Sequence, residues 1–149
     1  MLKIYTDGAC AGNPGPGGWG VVMIWGNVPP KELSGFAPET TNNRMELQAA
    51  IEGLSAIKRN VPITLYSDSS YIVNAVNNKW LDNWQSNGWK TADKKPIKNQ
   101  DLWEKLIELN VKWKPTYVWV KGHANDKWNN RADALAVAEV DKKRKQLLE

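Results

Sequence analysis

Leu2-Lys3-Ile4-Tyr5-Thr6-Asp7-Gly8 is the stretch whose reading decides the fold. Ile4 and Thr6 alternate with Lys3, Tyr5 and Asp7, the two-residue period of a β-strand. The strand runs into an aspartate and a glycine, where the chain is expected to turn. A carboxylate at a strand end is a poor core residue and a good ligand. Ile63-Thr64-Leu65-Tyr66-Ser67-Asp68 repeats the arrangement: a strand, then an acid, then the small residue Ser69. Neighbouring strands lie about 4.8 Å apart, so two such ends can bring their acids together.

The chain between and around these strands sets the architecture. Ala9 to Gly18 is rich in glycine and proline and predicts a tight loop. Trp19 to Gly26 predicts a second, mostly apolar strand, and Lys31 to Ala37 a third, the three forming an antiparallel meander. Thr40-Thr41-Asn42-Asn43 is a helix start signal. Leu47, Ala50, Ile51, Leu54 and Ile57 follow at helical spacing, with Glu46 just before that stripe. After the strand at Ile63 to Ser67, Ser69 and Ser70 can cap a short helix through Val76. A helix from Lys79 to Gln85, a polar loop from Thr91 to Lys98 and a helix capped by Asn99 come next. Thr116 to Val120 predicts the last strand and Trp128 to Lys143 the closing helix. Strands entering late by crossover pair in parallel, so the order predicts an α/β fold with a mixed sheet and helices on both faces.

At 149 residues, 42% hydrophobic and 24% charged, the sequence predicts a single soluble domain over 1–149. The longest strand-like apolar run, Val21 to Trp25, is far short of the ~20 residues that cross a bilayer. The N-terminus carries no basic-then-apolar signal, so an untargeted cytoplasmic protein without a membrane partner is expected. Cys10 is the only cysteine and cannot form an internal disulfide. No long unpaired apolar stripe demands a partner, so a monomer is expected. The net charge is +4, and its distribution says more than its size. Lys79, Lys90, Lys94, Lys95 and Lys98 share one segment with Trp80, Trp84 and Trp89, three of nine tryptophans. Cations beside aromatic rings suit a nucleic-acid backbone, although rings at this spacing also suit a core.

Four acids stand at element ends: Asp7, Glu46, Asp68 and Asp133, the last in the first turns of the closing helix. Each alone reads equally as a turn residue or a helix N-terminal charge. Together they form a set of oxygen ligands whose mutual repulsion a cation would relieve. Such ligands suit Mg²⁺ or Mn²⁺, and one His and one Cys argue against the usual zinc site. His123, the single histidine, lies on a loop between Gly122 and Ala124. Beside such a site it could move a proton near neutral pH.

These residues together resemble type 1 ribonuclease H, the bacterial ribonuclease HI group in particular. The matching stretches are Tyr5-Thr6-Asp7-Gly8, Gly12 to Gly18, Thr41 to Leu47, Ser67-Asp68-Ser69, Gly88 to Asp93, Lys121-Gly122-His123 and Ala132-Asp133, in the family's order. The resemblance implies a five-stranded mixed sheet with strands one to three antiparallel. It implies endonucleolytic cleavage of the RNA strand of an RNA–DNA hybrid, leaving a 5′-phosphate and a 3′-hydroxyl. Asp7, Glu46, Asp68 and Asp133 would bind two Mg²⁺ ions, with Mn²⁺ able to replace them, and His123 would assist proton transfer or product release. Asn13, Asn42 and Asn43 would contact the minor groove, with loop amides from Gly8 through Cys10 to Asn13. Thr41 and Asn99 would hold a DNA phosphate. Trp80, Trp84, Lys90, Lys94, Lys95 and Lys98 would belong to a basic protrusion that grips the DNA strand.

The chain departs from the family pattern in three places. Ser70 stands where many bacterial members carry a glutamine that touches the hybrid, Gln85-Ser86-Asn87 where one relative has consecutive basic residues in the protrusion, and Glu39 where some members place an arginine of the phosphate pocket. Two alternatives to the hybrid nuclease are a non-catalytic hybrid-binding module and another nuclease on the same fold. The presence of all four acids argues against the first. The Asn42-Asn43-Arg44-Met45-Glu46 helix and the tryptophan segment argue against the second.

Overall fold

The computed structural model describes residues 1–148, so Glu149, the last residue of the expected domain, lies outside the described residues. The sheet is built outward from β1 (Leu2–Cys10). On one edge β1 pairs antiparallel with β2 (Gly15–Trp25), which pairs antiparallel with β3 (Lys31–Thr40). On the other edge β1 pairs parallel with β4 (Ile63–Ser67), and β4 pairs parallel with β5 (Thr116–Trp119). The spatial order is β3-β2-β1-β4-β5, the mixed sheet that the sequence predicts.

Helices cover both faces. α1 (Asn42–Ser55) starts where predicted, its free N-terminal amides met by the Thr41 hydroxyl, which accepts from the Arg44 N–H at 3.3 Å. Its stripe of Leu47, Ala50, Ile51 and Leu54 is buried in one core with Ile4, Val21 and Leu65 of the sheet. Each large side chain so buried contributes about 1.5–3 kcal/mol. α2 (Ser70–Asn77), α3 (Trp80–Ser86) and α4 (Gln100–Trp113) follow, and α4 supplies Trp103, fully buried, to the same core. α5 (Lys127–Leu148) lies on the opposite face, where Ala132 packs with Tyr5 and Val22. Among the described residues no helix is long and apolar enough to cross a membrane.

The structure corrects the glycine-rich stretch. β1 does not turn at Asp7-Gly8 but runs on to Cys10, and β2 begins at Gly15, so the loop shrinks to Ala11–Pro14. Gly18 and Gly20 are strand residues directly beneath α5. A Cβ at Gly18 would run into the Ala136 carbonyl oxygen, and one at Gly20 into that of Ala132. These glycines let a helix lie on the sheet and do not mark a turn. β3 also extends to Thr40, and α5 reaches Leu148, past the predicted end at Lys143. Asn99 is not a side-chain cap. It takes left-handed backbone (φ +64°), and its amide instead bridges Arg44 and the Tyr71 hydroxyl.

Candidate active site

The β1–β4 ladder ends at Thr6–Ser67. Beyond it β1 continues, paired only with β2, which leaves a notch beside Asp7 and Gly8. Asp68 follows Ser67 directly and enters this notch. Its backbone is fixed by the Trp119 indole N–H, which donates to the Asp68 carbonyl at 3.1 Å, and by the Ser69 N–H on the Ser67 hydroxyl at 3.0 Å.

Glu46 arrives from α1, and Gly8 permits its approach. A Cβ on Gly8 would stand 2.5 Å from the Glu46 nitrogen and 2.6 Å from the Met45 carbonyl carbon, so only glycine lets the helix backbone rest there. The Gly8 N–H donates to Asp7 Oδ1 at 2.9 Å and to Glu46 Oε1 at 3.1 Å. One carboxylate oxygen each from Asp7, Glu46 and Asp68 lies within 4.8 Å of the others. Asp7 and Glu46 are each only 3% exposed, while Asp68 is half-buried and opens the group to solvent. The pKa of Asp7 is pushed far above the usual carboxylate range, first by burial and then by the neighbouring Glu46 charge. That of Glu46 is also raised, first by burial, with the Asp68 charge adding to it and the hydrogen bond with Asp7 opposing it.

Glu46 Oε2 is buried with no hydrogen-bond partner. An orphaned, buried carboxylate oxygen beside two further carboxylates is costly unless a cation meets it. The all-oxygen donor set fits a hard divalent ion. Asp133 stands in the second turn of α5, half-buried, outside the three-acid group but close enough to raise the pKa of Asp7 further. His123 is exposed and in left-handed backbone (φ +54°). Its neighbour Gly122 lies against Asp68, since a Cβ there would be 2.9 Å from Asp68 Oδ2.

One residue at the notch escapes the sequence reading. Asn129 is 1% exposed, its Nδ2 donates to Asp68 Oδ2 at 3.5 Å, and its Oδ1 is buried without a partner. Its signal was present: it stands four residues before Asp133, on the same side of the helix. Asp126 anchors that turn by accepting the N–H groups of Trp128 and Asn129.

The remaining predicted residues divide into two groups. Asn13 Oδ1 accepts the Asn42 N–H at 3.1 Å, so the Ala11–Pro14 loop sits on the exposed start of α1, with Asn43 exposed beside it. The Gly8 amide is not available to a substrate, because it is buried and already shared by two carboxylates. Cys10 is half-buried, its Sγ 3.5 Å from the Gly15 and Thr40 carbonyls. At α3, the Trp84 ring meets buried Trp103 in an edge contact with centroids 5.5 Å apart, and its centroid lies 6.5 and 6.1 Å from those of Trp80 and Trp89. Trp84 and Trp89 are therefore partly core, and Trp80, 38% exposed, faces outward. Lys90, Lys94, Lys95 and Lys98 are exposed around them. Of the three departures, Ser70 and Glu39 are exposed. Asn87 ties the turn after α3 by donating to the Lys90 carbonyl at 3.0 Å and accepting the Lys90 N–H at 3.1 Å.

Residues 1–141 match the family model described as RNase H. The chain is 52% identical over 142 residues to the ribonuclease H of Caldanaerobacter subterraneus subsp. tengcongensis, covering 95% of this chain and 92% of that one. It is 56% identical over 142 residues to the ribonuclease H of Chlorobium phaeovibrioides, covering 95% and 97%. Among solved structures it resembles LC9-RNase H1, a type 1 RNase H with the type 2 active-site motif (TM-score 0.83, 29% identity, 95% of this chain and 72% of that one). It also resembles LC11-RNase H1 in complex with RNA/DNA hybrid (TM-score 0.76, 26% identity, 96% and 99%).

Proposed function

The chain belongs to the ribonuclease H family, and from that premise we propose how it cuts the RNA strand of an RNA–DNA hybrid. It is a metal-dependent endoribonuclease, and Asp7, Glu46, Asp68 and Asp133 are the residues that hold its metal. The observation that carries this reading is the set of three carboxylate oxygens within 4.8 Å of one another, with Glu46 Oε2 unsatisfied beside them. When bound, two Mg²⁺ ions, replaceable by Mn²⁺, supply water activation and stabilisation of the leaving 3′ oxygen.

The chain's own residues hold that chemistry in place. Asp7 would hold the metal from the middle strand of the sheet, where it is buried beside Glu46. Glu46 is locked to it through the Gly8 amide. Asp68 enters the same notch just past the end of β4, and Asp133 borders it from α5. His123, exposed on the loop that passes Asp68, exchanges a proton with the departing product. Products carry a 5′-phosphate and a 3′-hydroxyl.

Asn13, Asn42 and Asn43 read the minor groove, where the 2′-hydroxyl distinguishes RNA from DNA. Thr41 and Asn99 flank a DNA phosphate. Trp80, Lys90, Lys94, Lys95 and Lys98 hold the DNA strand, with Trp84 bracing Trp80 from below. Contacts of this kind go to backbone and shape, so sequence preference is slight.

The test is a gel assay with the RNA strand of a hybrid labelled at either end, run in Mg²⁺, Mn²⁺ and chelator beside duplex DNA and single-stranded RNA. Internal cuts confined to the hybrid and dependent on metal support the reading. Cleavage of duplex DNA at a comparable rate would replace it with the general nuclease. Hybrid binding without any cut would replace it with the binding module.

A further inference from the structure

The protrusion is not the only basic tract. Lys142-Lys143-Arg144-Lys145 forms a second, on the far side of the sheet. Cations at a helix C-terminus are commonly there to offset the helix dipole, an effect confined to the last turn. Because α5 continues to Leu148, only Lys145 is in that turn, and the dipole leaves Lys142, Lys143 and Arg144 unexplained. Among the described residues none of the four forms an ion pair. Lys142, Arg144 and Lys145 are exposed, and the Lys143 ammonium lies 5.7 Å from the centre of the Phe36 ring on β3.

The helix face aims this tract. Asp133, Val137, Val140 and Arg144 recur at spacings of four, three and four, one stripe of α5. The stripe begins at the acid that borders the notch. It ends over a cleft of about 180 Å³ between Ala9 and Cys10 of β1 with Ala11 of the following loop, and Val137, Val140, Asp141 and Arg144 of α5. Arg144 thus stands beside the chain that leads into Asn13, which is hydrogen-bonded to the start of α1 on the other face. One carboxylate, Asp141, lines the same cleft and leaves the tract with an excess of positive charge. From Asp133 to Arg144 is eleven residues, a rise of about 16 Å, equal to about five base steps along one strand.

We propose that the basic end of α5 contacts the phosphate backbone of the bound hybrid about five base steps from the scissile phosphate, on the side of the sheet opposite the tryptophan protrusion. The inference rests on the hybrid-cleavage reading above. The charge is of the right sign and solvent-facing, and it continues the rim on which the catalytic notch and the Asn13 loop stand. The two tracts would then hold the substrate from both faces of the sheet, each several base pairs from the cut.

The experiment compares the wild-type protein with K142Q/K143Q/R144Q/K145Q, which keeps good helix formers throughout. The readout is the hybrid concentration that half-saturates single-turnover cleavage, measured across a salt series. On a hybrid of about 24 base pairs the variant should need about tenfold more substrate, and its log–log salt slope should be shallower by about 2–3. On a hybrid too short to reach the tract, about six base pairs, the two proteins should coincide. R144Q alone should lower the slope by about 0.7–0.9, which serves if the quadruple variant fails to fold. Superimposed slopes on the long hybrid overturn the proposal, as does an equal loss on the short one. Wild-type protein that cuts no hybrid would instead overturn the functional reading beneath it.

Discussion

The notch and the protrusion are built on opposite plans. At the notch, charge is buried and over-determined: Asp7 and Glu46 are 3% exposed, bound to one amide, and crowded by two further acids. At the protrusion, charge is exposed and loosely held, and what is buried is aromatic. Trp84 packs on Trp103 and leaves Trp80 and the lysines in solvent. The first arrangement stores electrostatic stress that a divalent cation relieves. The second stores none and offers a screened surface to a polyanion. Chemistry requires fixed geometry, whereas grip on a backbone requires only charge within reach.

The largest effect separating the two regions belongs to Asp7. Asp7→Asn should reduce hybrid cleavage by about a thousandfold or more, because it removes a buried carboxylate that would hold the proposed metal. The same change should stabilise the metal-free protein at neutral pH by about 1–3 kcal/mol, since folding then no longer requires Asp7 to hold a proton that the unfolded chain releases. Cleavage assays and thermal melts in chelator check both halves. A variant that cuts at near wild-type rate, or one that is less stable without metal, breaks the contrast.

The stress at the notch also has a pH signature. The folded-state pKa values of Asp7 and Glu46 lie above the unfolded values near 4. The folded protein therefore keeps protons that the unfolded chain releases. The stability associated with this pair is fully present below about pH 4 and is lost as pH rises through the raised values. Melts in chelator should show the midpoint falling between about pH 5 and pH 8, and added Mg²⁺ or Mn²⁺ should reverse much of the loss by binding only the folded state. Asp7→Asn should flatten the pH profile.

A smaller effect comes from Asn129, which touches an acid without being one. Asn129→Ala leaves Asp68 Oδ2 without this donor and should weaken metal binding, and with it cleavage, by about 10–100-fold. The metal titration curve should move to higher concentration while the rate at saturating metal falls less. A loss confined to thermal stability would make the asparagine a packing residue only. Below this come the lysines of the protrusion. Changing Lys94, Lys95 and Lys98 to Gln should raise half-saturation by hybrid about tenfold and make the salt slope shallower by about 2, with no change in the pH profile of stability.

The sequence carried much of this contrast. Strand alternation, the Thr41 cap and the α1 stripe pointed to the antiparallel meander, the mixed sheet and the helix that brings Glu46, because each rests on a local pattern. The three acids converge as their positions at element ends predict. What the sequence did not carry was long-range in origin. Gly8 and Gly18 read as turn or loop residues, yet each is a glycine because a helix far along the chain lies on it. Asn129 shares a helix face with Asp133, but only folding places it against Asp68. The lysines beside Trp84 suit a nucleic-acid surface and its spacing also suits a core, and the choice is made by Trp103, nineteen positions later, which meets its ring in an edge contact.

His123 gives the mildest and most discriminating prediction, because it belongs fully to neither region. It sits at the notch by position, through Gly122 against Asp68, but it is exposed and without the packing that fixes the acids. A side chain so held suits a transient role in proton exchange better than a permanent one in ligation. His123→Ala should therefore slow turnover by about tenfold, below the usual 10²–10⁴-fold of a general base that acts alone. The metal titration should stay in place and the melts in chelator should not move. If the variant were as inactive as Asp7→Asn, the loop would have to be as rigid as the acids in the working complex. The division between a fixed notch and a mobile surround would then be drawn in the wrong place.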